Sequence, residues 1–235
     1  MQLRQAEVQA ASASSDPAGF TVALAGGARE AARRLLLATG VVDQLPGIDG
    51  LAAVWGRSVF SCPYCGGWEV RDQPLAVLGA DPRAFQLALH LTRWSGDVAW
   101  CSNGPLPDVD RAPLAARGVR LREEPIARLE GADGQLERVV FASGAPLERR
   151  AAFLHPPTRQ RSDLPVQLGC ALLEDGWVSV GDLGQTSVPG VFAAGDMARR
   201  PTMPLPGAQL VIAAAEGAIT AVAIDQDLAM SELAG

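Results

Sequence analysis

The chain has 235 residues, of which 48% are hydrophobic and 20% are charged. This composition is typical of a folded protein with one large domain or two small ones, and it excludes wholesale disorder. The net charge of −6 disfavours nucleic acid and anionic membranes as partners, and no apolar run approaches the roughly 18 residues of a membrane span. All twenty Lys/Arg positions are arginine, which excludes Schiff-base chemistry and Walker-type phosphate binding. Without a secretory signal pattern, the expected location is cytoplasmic.

Three strands are predicted in the first fifty residues, at 6–10, 20–24 and 33–40. The first two are separated by the turn residues 14–19, a pattern typical of a hairpin. The third is apolar and ends in Thr39-Gly40, and a buried strand that ends at glycine is common at the cofactor edge of doubly wound sheets. The segment 45–50 contains proline and glycine and indicates a domain crossing.

From residue 51 onward strands and helices alternate. Strands are predicted at 74–79, 97–100, 119–121 and 136–142, and helices at 82–94 and 112–117. This order forms a βαβ unit and implies a parallel sheet. Later elements are expected to be strands at 176–180 and 191–196 and a final helix at 208–228. The predicted fold is therefore α/β, with one domain formed by 1–50 and 151–235 and a second domain inserted at 51–150.

Two of the four cysteines, Cys62 and Cys65, are separated by Pro63 and Tyr64. Cysteines at this spacing at a helix start can close a redox-active disulfide, and the helix amides are expected to lower the pKa of one thiol and make it a nucleophile. The alternative is half of a zinc site, which needs four ligands. The remaining candidates form no matching second pair: Cys101, Cys170, His90 and His155. The pattern therefore predicts a redox pair and no metal site.

The loop after the strand at 74–79 occupies the place of a dinucleotide fingerprint, Gly-x-Gly-x-x-Ala. Gly79 and Ala84 match its first and last positions, but Asp81 replaces the central glycine. A carboxylate there would repel an incoming pyrophosphate, where the fingerprint supplies bare backbone. The next strand is followed by Ser102-Asn103-Gly104, which offers no acidic residue for a ribose. The loop is therefore predicted to have lost NAD(P)H binding.

A third block lies near the end of the chain. The strand at 191–196 finishes in Gly195-Asp196, and the final helix begins with Ala208, Gln209 and Leu210. A carboxylate at a strand end can accept hydrogen bonds from a cofactor polyol, and a helix N-terminus can face an electron-rich ring. Gly-Asp alone could equally cap a helix.

Polar residues outside these motifs are interpreted as structural. His90 is predicted to be a surface or packing residue of the helix at 82–94. The segment 159–161 is predicted to form a solvated turn rather than an anion site.

Taken together, Thr39-Gly40, the Cys-x-x-Cys motif and the stretch 187–196 resemble the thioredoxin reductase-like branch of the pyridine nucleotide–disulfide oxidoreductases. The resemblance extends from about Phe20 onward, in the family's order. The cysteine motif with the residues 67–73 is most similar to a subgroup of FAD-dependent dithiol oxidases, which close disulfides in small-molecule natural products and pass electrons to oxygen. The resemblance implies two Rossmann-like domains of the FAD-binding and NAD(P)-binding type.

The resemblance also implies roles for individual residues. Cys65 would lie against the flavin and Cys62 would exchange with the substrate, so that electrons pass between the cysteine pair and FAD. Asp196 would bind the ribityl chain of FAD. The other residues of the implied FAD site are Thr39, Gly40, Gly195, Ala208, Gln209 and Leu210. The implied partners are a small-molecule dithiol or disulfide, or a thioredoxin-like protein, and a second copy of the chain in a homodimer.

Two departures from the family's pattern leave alternatives open. No strand with Gly-x-Gly-x-x-Gly precedes Ala6, so the FAD domain is expected to be incomplete at its N-terminus. Gly66 stands where the family usually has Asp or His as a proton carrier, which leaves water, Glu69 or His155 to assist. The alternatives are a truncated, flavin-free remnant without catalytic activity and a thiol-exchange protein without flavin.

Overall fold

The computed structural model describes residues 2–14, 19–106, 108–204 and 208–233. It divides into two compact units: the first combines Met1–Asp43 with Thr158–Gly235, and the second is Gln44–Pro157. Both units contain strands and helices, which confirms the predicted α/β class. The divisions at 43/44 and 157/158 lie outside the predicted insert of 51–150 on both sides.

The described residues form seventeen strands and six helices. The strands are β1 (Val8–Ala13), β2 (Phe20–Leu24), β3 (Arg29–Ala32), β4 (Leu35–Leu37), β5 (Val41–Asp43), β6 (Val59–Phe60), β7 (Leu75–Leu78), β8 (Val98–Cys101), β9 (Arg120–Arg122), β10 (Ile126–Ala132), β11 (Gln135–Phe141), β12 (Leu147–Glu148), β13 (Ala151–Phe153), β14 (Thr158–Gln160), β15 (Val178–Ser179), β16 (Val191–Ala193) and β17 (Ala198–Arg199). The helices are α1 (Leu51–Val54), α2 (Pro63–Gly66), α3 (Pro82–Leu91), α4 (Ala112–Ala115), α5 (Leu164–Gln167) and α6 (Leu210–Leu233).

A five-stranded sheet lies at the centre of the second unit. Its order is β6-β13-β7-β8-β9, and every neighbouring pair is parallel. All residues of β7 and β8 are buried, as expected for apolar strands of a parallel sheet. Helix α3 packs against these two strands, and its apolar residues recur at helical spacing: Ala84, Leu87, Ala88 and Leu91. The predicted βαβ unit with a parallel sheet is therefore confirmed.

The same unit contains a smaller antiparallel sheet in the order β10-β11-β12. The sequence analysis identified β11 but missed β10. The two strands are joined by Asp133-Gly134, whose φ angles are 53° and 80°, and Asp-Gly is a strong signal for a two-residue hairpin. The buried Ser58 attaches this hairpin to β6, since its hydroxyl donates to the carbonyl of Gly134 and accepts from the amide of Leu136, both at 2.8 Å.

Strand β13 explains why the second division lies later than predicted. It is fully buried and pairs in parallel with both β6 and β7, so that residues 151–153 complete the sheet of the second unit. At the first division, the amide of Leu129 donates to the carbonyl of Asp49 at 2.8 Å. This bond attaches the end of the predicted crossing 45–50 to the second unit.

The first unit contains several small sheets. Strands β1, β2 and β3 form an antiparallel sheet, which confirms the pairing of the predicted hairpin, although the turn residues 15–18 lie outside the described residues. The predicted strand at 33–40 is reduced to β4, because residues 33–34 form a bend after β3 and the strand pairing with β16 ends at Leu37. Strand β4 pairs in parallel with β16, β5 pairs antiparallel with β14, and β15 pairs in parallel with β17.

Helix α6 is the longest element of the first unit, with 24 residues. It begins close to the predicted residue 208 and ends five residues beyond the predicted residue 228, at Leu233. Within the described ranges, no helix has the length and apolar character that crossing a membrane requires.

Candidate functional site

Two of the predicted cofactor segments meet at the edge of one small sheet in the first unit. Strands β4 and β16 are parallel, with Leu37 opposite Ala193, so Thr39-Gly40 and Gly195-Asp196 follow them at the same carboxyl edge. The amide and the hydroxyl of Thr39 both contact Sδ of Met197, at 3.2 and 3.4 Å. Ligands of α/β proteins bind outside the carboxyl ends of parallel strands. This edge is therefore a candidate binding site.

Helix α6 reaches the same edge. The amide of Gly195 donates to Oε2 of Glu216 at 3.0 Å, and a Cβ atom on Gly195 would lie 3.5 Å from Cβ of Ala213. Gly195 has a φ of 76°, a left-handed conformation that favours glycine. The three predicted residues at the start of the helix are exposed: Ala208, Gln209 and Leu210.

Asp196 contributes an unpaired acceptor to this edge. Its Oδ1 atom is buried and has no hydrogen-bond partner among the described residues. Because buried acceptors are almost always paired in folded proteins, a ligand hydroxyl is a suitable donor for this atom. Partial burial and then the negative charge of Asp196 raise the pKa of Asp43. The sequence analysis did not identify Asp43, which is the last residue of β5.

Gln160 is a second polar residue of this region that the sequence analysis did not identify. Its Nε2 atom donates to the carbonyl of Gly176 at 2.9 Å and to the carbonyl of Met197 at 3.0 Å, while its Oε1 atom is buried without a partner among the described residues. The interpretation of 159–161 as a solvated turn was wrong, since Thr158–Gln160 is the strand β14 and pairs with β5. Strand pairing therefore brings an unpaired amide oxygen close to the residue after Asp196.

The cysteines of the Cys-x-x-Cys motif lie side by side in the second unit. Cys62 is the N-cap of the one-turn helix α2, and Pro63 takes its first position, where the fixed φ of proline suits a helix start. The thiol of Cys65 donates a hydrogen bond to Sγ of Cys62, with the two sulfur atoms 2.6 Å apart, and neither cysteine is in a disulfide. The loop therefore presents two thiols within reach of a shared bond.

The pKa of the Cys65 thiol is raised, whereas the helix start was expected to lower the pKa of one thiol of the pair. Partial burial, followed by the hydrogen bond to Cys62 and the charge of Cys62, raises the pKa of Cys65 to about 11. At neutral pH Cys65 therefore remains a thiol and acts as the donor in the pair.

Packing requires the two glycines that follow Cys65. A Cβ atom on Gly66 would lie 3.0 Å from the ring of Phe60, and one on Gly67 would lie 2.3 Å from the carbonyl oxygen of Pro63. Phe60 in turn packs on Phe153, with ring centroids 5.6 Å apart. An acidic or imidazole side chain at position 66 would therefore require the Phe60 ring to move.

In the predicted nucleotide loop, the carboxylate of Asp81 occupies the N-terminus of α3. It accepts from the amide of Arg83 at 2.9 Å and contacts the guanidinium of the same residue at 3.4 Å. Gly79, with a φ of 104°, precedes it, and Ala84 is buried where the helix packs on the sheet. The carboxylate takes the place where an anion binds in a dinucleotide fingerprint. The loss of NAD(P)H binding stays a prediction.

The other two cysteines are buried thiols. Burial raises the pKa of Cys101 to about 12 and also raises that of Cys170. In the part of the chain that the structure describes, no group of three or more His, Cys, Asp or Glu side chains is arranged to hold a metal ion.

The comparison with protein families matches residues 4–218 to the family described as pyridine nucleotide-disulphide oxidoreductase. The chain belongs to this family.

A curated relative, thioredoxin reductase tcpT of Claviceps purpurea, is 34% identical over 174 residues, which cover 70% of this chain and 54% of that protein. Two solved structures are similar. The crystal structure of HlmI is 37% identical with a TM-score of 0.87 and aligns with 98% of this chain and 72% of its own. An oxidoreductase from Agrobacterium tumefaciens is 35% identical with a TM-score of 0.85 and aligns with 97% of this chain and 74% of its own.

Membership of the pyridine nucleotide-disulphide oxidoreductases confirms the resemblance found in the sequence. The range matched to the family contains every predicted site residue, from Thr39 to Leu210. The chain spans about half the length of the curated relatives it matches, from 49% to 56% of the first three.

In this member of the pyridine nucleotide-disulphide oxidoreductases, the structure joins His90 to the cysteine loop, which the sequence analysis did not foresee. The hydroxyl of Tyr64 lies 2.7 Å from Nε2 of His90, and the two rings meet edge to face with centroids 4.9 Å apart. His90 lies in the last turn of α3 and is half-buried. Because 26 residues separate the pair, only the folded chain reveals the contact.

An exposed tryptophan follows the cysteine loop. The Trp68 side chain is 63% exposed, and the guanidinium carbon of Arg71 lies 4.0 Å from its ring centroid. The Nη1 atom of Arg71 also donates to the carbonyl of Trp68 at 2.8 Å. The cation–π contact and this hydrogen bond together restrict the indole next to the loop.

Proposed function

We propose that the chain acts in thiol–disulfide exchange, with Cys62 and Cys65 as the redox pair and FAD as the cofactor held at the edge of β4 and β16. The observation that carries the proposal is the pair of free thiols with sulfur atoms 2.6 Å apart. The substrate is a small-molecule dithiol or disulfide, or a thioredoxin-like protein. Relatives named thioredoxin reductase support the second substrate class.

In the proposed exchange, Cys62 is the thiol that meets the substrate and Cys65 is the thiol that resolves the mixed disulfide. In the reducing direction, Sγ of Cys62 attacks one sulfur of the substrate disulfide, and the other substrate sulfur leaves as a thiolate. Sγ of Cys65 then attacks Cys62, which forms the Cys62–Cys65 disulfide and releases the second substrate thiolate. Two electrons and two protons pass to the substrate. Dithiol oxidation is the same sequence in reverse.

The residues at the edge of β4 and β16 fit the polyol part of FAD. The unpaired Oδ1 atom of Asp196 would accept from a ribityl hydroxyl, and the open space at Gly40 would admit a ligand against the backbone. Thr39 would complete this part of the site, and Gln209 with Leu210 would approach the isoalloxazine ring. A bound flavin would supply the two-electron partner for the cysteine pair. The sequence contains no Gly-x-Gly-x-x-Gly for the adenosine diphosphate part.

Oxygen is the proposed electron acceptor. The carboxylate of Asp81 at the N-terminus of α3 opposes binding of a pyrophosphate, which argues against NAD(P)H as the donor in this chain. Oxidation of a dithiol needs no NAD(P)H, because the substrate supplies the electrons. We further propose that the protein acts in the cytoplasm and forms a homodimer.

The test combines flavin binding with turnover. The purified chain is titrated with FAD and its visible absorption is compared with that of Asp196→Asn and of a control, Asp182→Asn, whose side chain is 90% exposed. We expect a flavin band near one per chain in the wild type and the control, and at least tenfold weaker binding in Asp196→Asn. No flavin binding, with thiol exchange intact, would replace the proposal by the flavin-free exchange protein.

Turnover is then measured as oxygen consumption with a small dithiol. Cys62→Ser and Cys65→Ser are expected to abolish it, whereas Cys170→Ala is the control for loss of a thiol outside the pair. Full turnover in Cys65→Ser would contradict the proposed function.

A further inference from the structure

The turn at residues 195–198 carries Asp196, and its backbone is fixed from both sides. Before Asp196, the amide of Gly195 donates to Oε2 of Glu216 on α6 at 3.0 Å. After it, Met197 is fully buried. The turn closes where the amide of residue 198 donates to the carbonyl of Gly195, also at 3.0 Å. The direction of the Asp196 side chain therefore depends on the contacts that hold its two neighbours.

The carbonyl of Met197 is the point at which Gln160 reaches this turn. Nε2 of Gln160 donates to that carbonyl at 3.0 Å and to the carbonyl of Gly176 at 2.9 Å. The Met197 carbonyl also accepts from the amide of Val178 at 2.9 Å. The side-chain amide of Gln160 thus joins three segments of the first unit: strand β14, the turn before β15 and the residue after Asp196.

The amide of Gln160 contributes little net stability to the fold. Its orientation is fixed, because a flipped amide would place Oε1 against two carbonyl oxygens. In this orientation Oε1 is buried without a hydrogen-bond partner among the described residues. An unpaired buried acceptor costs about as much as one or two hydrogen bonds contribute. The gain from Nε2 and the cost of Oε1 are therefore close to balance, and the main effect of the amide is to fix the Met197 carbonyl.

The position of Asp196 matters for a ligand because hydrogen bonds weaken steeply when donor and acceptor are misaligned. We infer that Gln160 is the positioning residue of Asp196: by holding the Met197 carbonyl, it sets the direction in which the Asp196 carboxylate meets a polyol. The inference rests on the FAD site of the proposed function. It assigns to Gln160 no contact with the ligand.

The experiment compares riboflavin with lumiflavin, which carries a methyl group in place of the ribityl chain. Binding of each flavin to the purified chain is measured by quenching of flavin fluorescence. The variant Gln160→Met keeps the length of the side chain and removes the amide. The matched control is Gln167→Met in α5, where the amide oxygen accepts from the backbone amide of Ala11 at 3.1 Å. Thermal unfolding without flavin is recorded for each variant.

We expect Gln160→Met to weaken riboflavin binding about fivefold and to leave lumiflavin binding within about twofold of wild type. Its melting temperature without flavin should stay within about 2 °C of wild type, because the lost bonds and the lost unpaired acceptor offset each other. Gln167→Met should change neither affinity. Unchanged riboflavin binding in Gln160→Met would overturn the inference. A lower melting temperature with an equal loss for both flavins would show a structural role and would also overturn it.

A double variant tests whether Gln160 acts through Asp196. Gln160→Met combined with Asp196→Ala should bind riboflavin no more weakly than Asp196→Ala alone, because a positioning effect has no object once the carboxylate is removed. Losses that add in the double variant would contradict the positioning role.

The two proposals fail in different ways in these measurements. A wild-type chain that binds neither flavin contradicts the FAD site of the proposed function and overturns this inference with it. A wild-type chain that prefers riboflavin to lumiflavin, together with a Gln160→Met variant of the same preference, supports the FAD site and overturns the positioning role alone.

Discussion

Replacement of Asp81 would separate two effects that its carboxylate combines at the start of α3. The side chain caps the helix by accepting from the amide of Arg83, and it brings negative charge to the place of a pyrophosphate. Asp81→Asn removes the charge and keeps a capping oxygen. Asp81→Ala removes both, and Asp81→Gly completes the fingerprint with Gly79 and Ala84.

The expected magnitudes differ between the two effects. Loss of an N-cap side chain costs about 1 kcal/mol for alanine, but only a few tenths for glycine. Two unit charges about 4 Å apart repel by about 4 kcal/mol at an effective dielectric constant of about 20, and by about 1 kcal/mol in water. The Asp81 side chain is 36% exposed, so the effect should be near the lower value. Removal of the charge is then worth roughly a five- to tenfold gain in affinity for a dinucleotide.

The assay is calorimetric titration with NADPH at low salt, together with thermal unfolding. We expect all three variants to gain affinity, and Asp81→Ala alone to lose about 1 kcal/mol of stability. The control is Asp110→Asn, the same change at the start of α4, where the carboxylate accepts from the amide of Ala112 at 3.0 Å. Affinities of Asp81→Asn and Asp81→Gly equal to that of the wild type would refute the reasoning that this carboxylate excludes the nucleotide.

Three further predictions concern stability. Ser58→Ala should cost about 2 kcal/mol in urea unfolding, because it leaves the buried amide of Leu136 and the part-buried carbonyl of Gly134 in the β10–β11 hairpin without their side-chain partner. A cost below about 0.5 kcal/mol would contradict this. Gly50→Ala should lower the free energy of unfolding by more than about 2 kcal/mol, since φ is 81° and the new Cβ would lie 2.1 Å from the carbonyl oxygen of Leu129. Gly47 has open space around it, so the control Gly47→Ala should change the melting temperature little. Burial lowers the pKa of His155 below its ordinary 6.5. The fold therefore favours the neutral imidazole, and its contribution to stability is present at higher pH and is lost as the pH falls from 6.5 through the lowered value. His155→Gln should weaken the fall of the unfolding midpoint on acidification, and an unchanged fall would exclude this role.

Local sequence patterns predicted the central elements of the second unit. The strand β7 and the helix α3 have distinct signatures, a continuous apolar run and apolar residues at helical spacing. Strand β10 was missed because few of its side chains are buried, so that its apolar alternation is weak. The position of β13 depends on pairing with strands more than seventy residues away in the chain, which no local pattern contains.

In the candidate site too, some residues could be predicted from local sequence, whereas others are recognised only in the folded chain. Cys62, Cys65 and Asp196 stand in short motifs whose chemistry is visible in the sequence. The contact of His90 with the cysteine loop and the position of Gln160 beside Met197 arise only when helix packing and strand pairing are formed. Residues that support a motif from another element therefore escape sequence analysis, even when the motif itself does not.

The exposed indole of Trp68 allows the cysteine loop to be followed by tryptophan fluorescence. Of the five tryptophans in the chain, all of which lie in the described ranges, only Trp68 is exposed. Trp100 and Trp177, by contrast, are at most 5% exposed. A dissolved quencher such as iodide would therefore reduce chiefly the emission of Trp68. Because this fluorophore lies three residues after Cys65, the quenchable part of the emission is an intrinsic reporter with which opening and closing of the thiol pair can be followed without a label.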